Sequence, residues 1–338
     1  MKVALIGCGS ISKKHFEALD ALDNVSLCAV ADIRPERADA AAKQYGGRAY
    51  TDYQEMLLHE KPDAVHICTP HDLHVPMALD ALHAGCHVFC EKPAAITPDD
   101  LLELQKAQTE SGRQVGICFQ NRCNTGAKEA KRLLEEGTYG KLLAIRASVD
   151  WCRGADYYSD DWHGRKSREG GGVLINQAVH TLDLLQYFAA SPAVSVQAHM
   201  ANDHLQDVID VEDTALVRCR FQNGVLAQLN ATTAFACNAA VVIDLFVEQG
   251  VLRLEGPVLS FVSPDGDATV LARPTVSATG SKAYWGTGHR KLIKEFYRCL
   301  ETGEPFSIDA YEGGKAVRLF LAAYRSAEAG GATQHLDN

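Results

Sequence analysis

The chain has 338 residues, 46% hydrophobic and 22% charged, a length and balance that provide for two globular domains with sizeable cores. A net charge of -10, with no run of lysines or arginines, argues against nucleic-acid and anionic-membrane partners and leaves small molecules as the expected ones. No stretch approaches the roughly 18 apolar residues of a spanning helix, and the apolar run at 3–6 is too short for a signal peptide, so a cytoplasmic location is expected.

Residues 3–6 read as a short buried strand that runs into Gly7-Cys8-Gly9-Ser10-Ile11-Ser12, after which Ile11, Phe16, Leu19 and Leu22 recur at helical spacing. In such a strand, turn and helix, Gly7 permits the tight turn and Gly9 lets backbone approach a pyrophosphate at the helix amino terminus. Ser12 stands where a third glycine would serve close helix packing. A second buried strand, 25–31, ends at Asp32, about the spacing at which a carboxylate accepts both ribose hydroxyls of an adenosine. That carboxylate favours NAD over NADP, although Arg34 leaves room for a 2′-phosphate. Asp32 also reads as a helix cap before Pro35.

A helix over 35–45, a short strand near Ala49 and a helix through Met56 precede a third long buried strand, 64–68, which ends in Thr69-Pro70. The next helix carries Val75, Ala78 and Leu82 and stops at Gly85. The strand that follows, His87-Val88-Phe89-Cys90, runs straight into Glu91-Lys92-Pro93. Ligands of open α/β sheets sit beyond the carboxyl ends of the strands, so Lys92 is the first candidate for chemistry. Pro93 biases Lys92 toward an extended conformation and is compatible with a cis Lys92-Pro93 bond; the alternative is a solvated loop. Thr97 caps the next helix, with Pro98 at its first position, and 115–119 is one more strand. The alternation predicts a doubly wound parallel sheet, a Rossmann-type α/β domain over 1–120.

These residues resemble the Gfo/Idh/MocA oxidoreductase family, nearest to its branch of sugar 3-dehydrogenases and nucleotide-sugar oxidases. The likeness rests on Gly7 to Ser12 with His15, on Asp32, on Thr69-Pro70 with His74, and on Glu91-Lys92-Pro93, in order and spacing. It implies an NAD site formed by Gly7, Gly9, Ser10, Ile11, Asp32 and Arg34, completed by Thr69, Pro70, His74, Glu91, Lys92 and Gln120. It also implies that Lys92 lies between nicotinamide and substrate.

From residue 121 the pattern changes. A helix over 125–136 and a strand over 142–149 lead toward strand pairs flanking Asn223-Gly224 and Gln249-Gly250, which read as hairpins. Two more helices follow, near 288–300 and 310–329. An α+β domain over 121–338 is predicted, an open and mainly antiparallel sheet with helices on one face and the other free for a homodimer or homotetramer. Inside it, Trp151, Tyr157, Tyr158, Trp162, Arg165, Lys166 and Arg168 make an aromatic, basic segment suited to closing over a sugar or an anion.

After Gly170-Gly171-Gly172, the residues Asn176, His180 and Asp183 recur on one helical face. Such polar residues on an otherwise apolar helix need partners. The resemblance marks this stretch as the family's second signature, with His180 an acid or base and Asn176 and Asp183 near substrate. Trp162-His163-Gly164 departs from the branch's Trp-Arg-Gly, which leaves an anion contact to Arg165 or Arg168.

The expected function is oxidation of a secondary hydroxyl of a sugar, sugar derivative or cyclitol by hydride transfer to NAD. His180 or Lys92 would serve as base, with Asn176, Asp183, Trp162, Arg165 and Tyr157 about the substrate. A redox-neutral lyase or glycosidase using NAD transiently, and a dinucleotide-sensing regulator, remain alternatives. No metal is expected. His71-Asp72-Leu73-His74 lacks the further ligands of a zinc site, and the eleven cysteines, without a CxxC pair, read as reduced core residues.

Overall fold

The computed structural model describes residues 1–274 and 288–336. Two compact units are formed, Met1–Gln120 with His289–Val317, and Asn121–Gly288 with Arg318–Asn338.

The first unit is built on six parallel strands, β1 (Lys2–Ile6), β2 (Ser26–Ala31), β3 (Arg48–Tyr50), β4 (Ala64–Ile67), β5 (His87–Cys90) and β6 (Val115–Ile117), in the order β3-β2-β1-β4-β5-β6. Their crossovers carry α1 (Ser12–Leu19), α2 (Pro35–Tyr45), α3 (Tyr53–Glu60), α4 (His74–His83) and α5 (Pro98–Ser111). Helix starts follow capping chemistry. The Asp52 side chain accepts the amides of Gln54 and Glu55 at α3, and Thr97 Oγ1 accepts that of Asp100 at α5. Register aligns Ile6 with Ile67, Ile67 with Cys90, and Cys90 with Ile117, so the turns after β1, β4 and β5 leave the same edge of the sheet. The strand order reverses between β1 and β4, the crevice where doubly wound sheets bind ligands.

The second unit contains α6 (Thr125–Glu136), β7 (Leu142–Asp150), three short or medium helices α7 (Lys166–Glu169), α8 (Val173–Asn176) and α9 (Val179–Ala189), and the strands β8 (Ala193–Ala201), β9 (Thr214–Phe221), β10 (Leu226–Thr232), β11 (Val242–Val247), β12 (Gly250–Glu255), β13 (Val258–Val262), β14 (Ala268–Ala272) and β15 (Gln334–His335). The nine strands run β14-β13-β12-β11-β7-β10-β9-β8-β15, all antiparallel except for the β7/β10 pair. Both predicted hairpins are present, β9/β10 and β11/β12. On β9, Ala215, Val217, Cys219 and Phe221 are buried while Leu216 between them is 53% exposed, the alternation of a sheet with one packed face.

The last helices are α10 (Gly288–Thr302) and α11 (Ala310–Glu328). The structure departs here from a single division at residue 120, because His289–Val317 folds with the parallel sheet. The cause is local. Ile117 N–H donates to the Ile308 carbonyl at 2.8 Å, Phe306 N–H donates to Gln114 Oε1 at 2.8 Å, and the Phe296 ring packs 5.1 Å from that of Phe89.

Candidate active site

In the first unit the turn after β1 is shaped by close approach. Gly7 has φ +91°, and a Cβ there would lie 2.6 Å from the Cys68 carbonyl oxygen, so no other residue fits without moving β4. A Cβ on Gly9 would meet nothing within 4 Å, which leaves backbone open to an approaching group. Ser12 is buried and donates its hydroxyl to Gly9 O at 2.7 Å, bracing the turn at the third-glycine position. Ser10 and Ile11 complete the turn just before α1 begins, Ser10 exposed and Ile11 half-buried.

Asp32 does not cap α2. Its Oδ2 accepts Cys8 N–H at 2.8 Å and its Oδ1 accepts Arg34 N–H at 2.9 Å, while Arg34 itself is the N-cap, in extended conformation. Each carboxylate oxygen keeps a second acceptor direction, the acceptor pair that the two hydroxyl donors of a ribose diol require. The fit to a dinucleotide therefore rests on an anchored carboxylate beside an open glycine turn. The Arg34 side chain is exposed.

At the carboxyl end of β5, Glu91 is buried and ends a chain of hydrogen bonds. Tyr297 OH lies 2.9 Å from His66 Nε2, the Nδ1 atoms of His66 and His15 are 2.8 Å apart, and His15 Nε2 is 2.9 Å from Glu91 Oε1. Two neutral imidazoles satisfy this chain when each passes its N–H toward the carboxylate, which is the terminal acceptor. Burial holds the His66 imidazole well below its usual pKa, with the His15 ring adding to the effect. Burial alone would raise Glu91, but the hydrogen bond from His15 and the nearby His289 ring, 3.6 Å away, outweigh it and keep the carboxyl well below its ordinary range. Lys92, half-buried, follows directly, its backbone N–H 3.3 Å from Glu91 Oε2, and the Lys92-Pro93 bond is cis.

His74 braces two turns. It is 1% exposed, with Nδ1 2.8 Å from the Pro93 carbonyl and Nε2 3.0 Å from that of Thr69, and so ties the turn after β4 to the turn after β5. Thr69 and Pro70 are half-buried on that turn, and Gln120 is buried, its Oε1 3.8 Å from Cys118 Sγ. Among the described residues, the donor atoms of His15, Glu91 and Cys118 lie within 4.8 Å of one another, but the His15–Glu91 hydrogen bond already joins two of them. The sequence reading of the cysteines meets two exceptions, since Cys152 and Cys237 are exposed.

In the second unit the predicted single helix is two. Ala178 N–H reaches back five residues to Val173 O at 2.8 Å, a π-type turn that ends α8 at Asn176 and lets α9 begin at Val179. The glycines before it are required by packing, for a Cβ on Gly172 would overlap the Glu212 carbonyl oxygen. The Glu212 side chain accepts the amides of Gly172 and Leu174 at 2.8 and 3.0 Å and so caps α8 from a distant segment.

Asn176 and His180 are half-buried. The Asn176 amide nitrogen donates to Tyr157 OH at 3.2 Å and also to Glu169, which brings Tyr157 and Asn176 together. The Trp162 and His163 rings pack with centroids 3.7 Å apart at a tilt of 34°, and the His163 ring is 4.7 Å from that of Tyr157. Arg165 is exposed and enters α7 as its N-cap. Asp183 supports the fold. It is 1% exposed, and both of its oxygens bind Arg122, Oδ2 to Nε at 2.8 Å and Oδ1 to Nη2 at 2.6 Å.

Sequence reasoning missed His66, His289, Tyr297, Glu169 and Glu212. A histidine inside the apolar run 64–68 was the signal for His66. His289, Tyr297 and Glu212 act across long separations that no local pattern marks, and Glu169 acts within seven residues through contacts that have no periodic signature.

Residues 1–119 match the model of an oxidoreductase family with an NAD-binding Rossmann fold, and residues 127–253 match the GFO/IDH/MocA C-terminal domain. The chain is 30% identical to the D-glucoside 3-dehydrogenase of Escherichia coli, across 98% of this chain and 96% of that protein. It is 25% identical to the myo-inositol 2-dehydrogenase of Thermotoga maritima, across 97% and 96%. Among solved structures, the WlbA dehydrogenase from Bordetella pertussis, in complex with NADH and UDP-GlcNAcA, superposes with a TM-score of 0.87 at 30% identity over 100% of this chain and 99% of that one.

Proposed function

Because the chain belongs to the Gfo/Idh/MocA family of oxidoreductases, we propose that it is an NAD-dependent dehydrogenase acting on a secondary hydroxyl of a sugar, sugar derivative or cyclitol. The observation that carries this reading is Lys92, set at the carboxyl end of β5 beside a carboxylate locked by His15 and His66. The relatives that act on glucosides and inositol support the substrate class.

Gly7, Gly9, Ser10, Ile11 and Asp32 would hold the dinucleotide, which when bound supplies the hydride acceptor. Lys92 donates a hydrogen bond to the reacting hydroxyl oxygen and favours developing alkoxide. His180 takes the hydroxyl proton, a role suited to a side chain that titrates near neutral pH. Asn176 orients substrate hydroxyls without adding charge, with Tyr157 beside it and Trp162 offering a stacking surface. The protein works as a homo-oligomer in the cytoplasm.

The test is a panel of neutral sugars, uronic acids, amino sugars and cyclitols, each mixed with enzyme and NAD or NADP and followed by nicotinamide absorbance. Reduction of NAD by at least one member is expected. Tight NAD binding with no reduction by any member would contradict the reading and favour a dinucleotide sensor.

A further inference from the structure

Glu169 ends α7, immediately before the glycine turn, and is 1% exposed. Its two oxygens do different things. Oε2 accepts Gly164 N–H at 2.5 Å, which fixes the turn that follows Trp162 and His163. Oε1 accepts the side-chain amide nitrogen of Asn176. The second hydrogen of that nitrogen goes to Tyr157 OH at 3.2 Å, and Gln177 Nε2 donates to the same hydroxyl at 3.4 Å. Glu169 therefore binds the aromatic segment with one oxygen and the candidate substrate residue with the other.

This arrangement decides which way the Asn176 amide points. Turning it over would set its carbonyl oxygen against a buried carboxylate, two acceptors with no proton between them. An aspartate at 176 would be worse, since two carboxylates in contact cannot both stay ionised. We propose that Glu169 is a positioning residue that sets the hydrogen-bond polarity of position 176, committing the amide nitrogen to itself and to Tyr157, so that a neutral carbonyl acceptor is what Asn176 offers a substrate hydroxyl. The proposal rests on the reading of Asn176 as a substrate contact. It also gives a physical reason for asparagine rather than aspartate at this place in the chain.

Among the described residues, the Glu169 charge bears on the hydroxyls of Tyr157, with Arg153 beside it, Tyr158 and Tyr324; Tyr324 OH also donates to the buried Glu212 carboxylate, and the His163 ring lies 4.7 Å from that of Tyr157. Burial first, and then the Glu169 charge, raises the Tyr157 hydroxyl far above neutrality, and burial likewise raises Tyr158 and Tyr324. None of these phenols changes charge between pH 5 and 8, and Glu212 and His163 are common to all the variants, so a carboxylate pair placed here is read as the difference from the parent in that interval.

The test uses four proteins, the parent, Glu169→Gln, Asn176→Asp and the double variant, with two readouts. The first is melting temperature at pH 5 and pH 8 without substrate. In Asn176→Asp the paired carboxyls hold a proton in the folded state that the unfolded chain releases, so stability falls as pH rises. That variant should lose several degrees more than the parent between pH 5 and 8. The double variant should not, because the amide introduced at position 169 then donates to the carboxylate introduced at position 176. The second readout is kcat/KM on a sugar from the panel. Glu169→Gln turns the Asn176 amide over and Asn176→Asp sets acid against acid, so each should cost on the order of tenfold to a hundredfold. The double variant should recover at least tenfold over the weaker single, with NAD affinity unchanged throughout. A double variant no better than the worse single in both readouts would overturn the proposal, as would Asn176→Asp with parental melting and turnover. If the melting pattern holds while the parent oxidises no sugar, the Glu169 pairing is supported and the dehydrogenase reading fails separately.

Discussion

The Asp32 carboxylate accepts the backbone N–H of Cys8 at 2.8 Å, so the end of β2 is tied directly to the glycine turn after β1. One side chain thus holds the turn and offers its remaining lone pairs to a ribose. A 2′-phosphate brought to the same oxygens would meet a fixed negative charge. NAD should bind at least tenfold more tightly than NADP, a difference on the order of 1.4 kcal/mol. Asp32→Ala should narrow the gap chiefly by weakening NAD. Fluorescence titration of both cofactors checks this, and equal affinities for the parent would refute the assignment.

Glu91 makes stability depend on pH in a definite direction. Burial works to raise its folded pKa, and the hydrogen bond from His15 with the nearby His289 ring overcomes that effect and holds it well below the ordinary carboxylate value. A depressed pKa contributes stability that is fully present above the unfolded value, about 4.3, and is lost as pH falls toward the folded one. Glu91→Gln should cost about 1 to 2 kcal/mol at pH 7 by replacing the charged acceptor of His15 with a neutral one. The variant should also show a shallower fall in melting temperature between pH 5 and pH 3 than the parent. A parental slope in the variant would mean that the carboxylate is not the terminal acceptor of the chain.

Lys92 and His180 are assigned to the same reacting hydroxyl, so their effects should not multiply. Lys92→Ala and His180→Ala should each lower kcat by a factor on the order of 10² to 10⁴. Affinity for NAD should change little, because the proposed dinucleotide contacts run from Gly7 to Asp32. The double variant should lose much less than the product of the single losses. Near-parental turnover in both single variants, measured on the same sugar, would remove them from the reaction.

The open face of the nine-stranded sheet presents Leu216 on β9, 53% exposed, and the half-buried Phe246 on β11, in a unit whose other face is packed. Covering such residues by a second copy is the economical arrangement. Light scattering at micromolar protein should return a multiple of the 36.7 kDa chain. A mass of one chain would show that this face works in water.

What could be read from the chain alone was whatever is local. The glycine turn, Asp32, the Thr97 cap and the strand ending at Lys92 are each written within a few residues, and the parallel sheet follows from their alternation. Asp183 shows where this stops. Its spacing from Asn176 and His180 suggested a shared face, but its partner Arg122 lies 61 residues away, and the ion pair between them takes Asp183 into the fold. The break at Ala178 was hidden for a different reason, because apolar spacing continues through it while one backbone hydrogen bond lengthens by a residue. His74 carries a motif position, yet its partners are two carbonyl oxygens, which have no side-chain signature. The folding of His289–Val317 onto the parallel sheet was equally illegible, since it depends on contacts such as Phe89 with Phe296, more than two hundred positions apart.

Hydride transfer is the central claim, and isotope labelling reads it without reference to any variant. A substrate from the panel, deuterated at the reacting carbinol carbon, is turned over with NAD, and both products are analysed by mass spectrometry. The account predicts one deuterium in the reduced nicotinamide for each molecule of keto sugar formed, with net accumulation of the reduced cofactor. Deuterium returned to the sugar product without accumulation of reduced cofactor would contradict it, and would instead mark a redox-neutral reaction in which the dinucleotide is recycled in place.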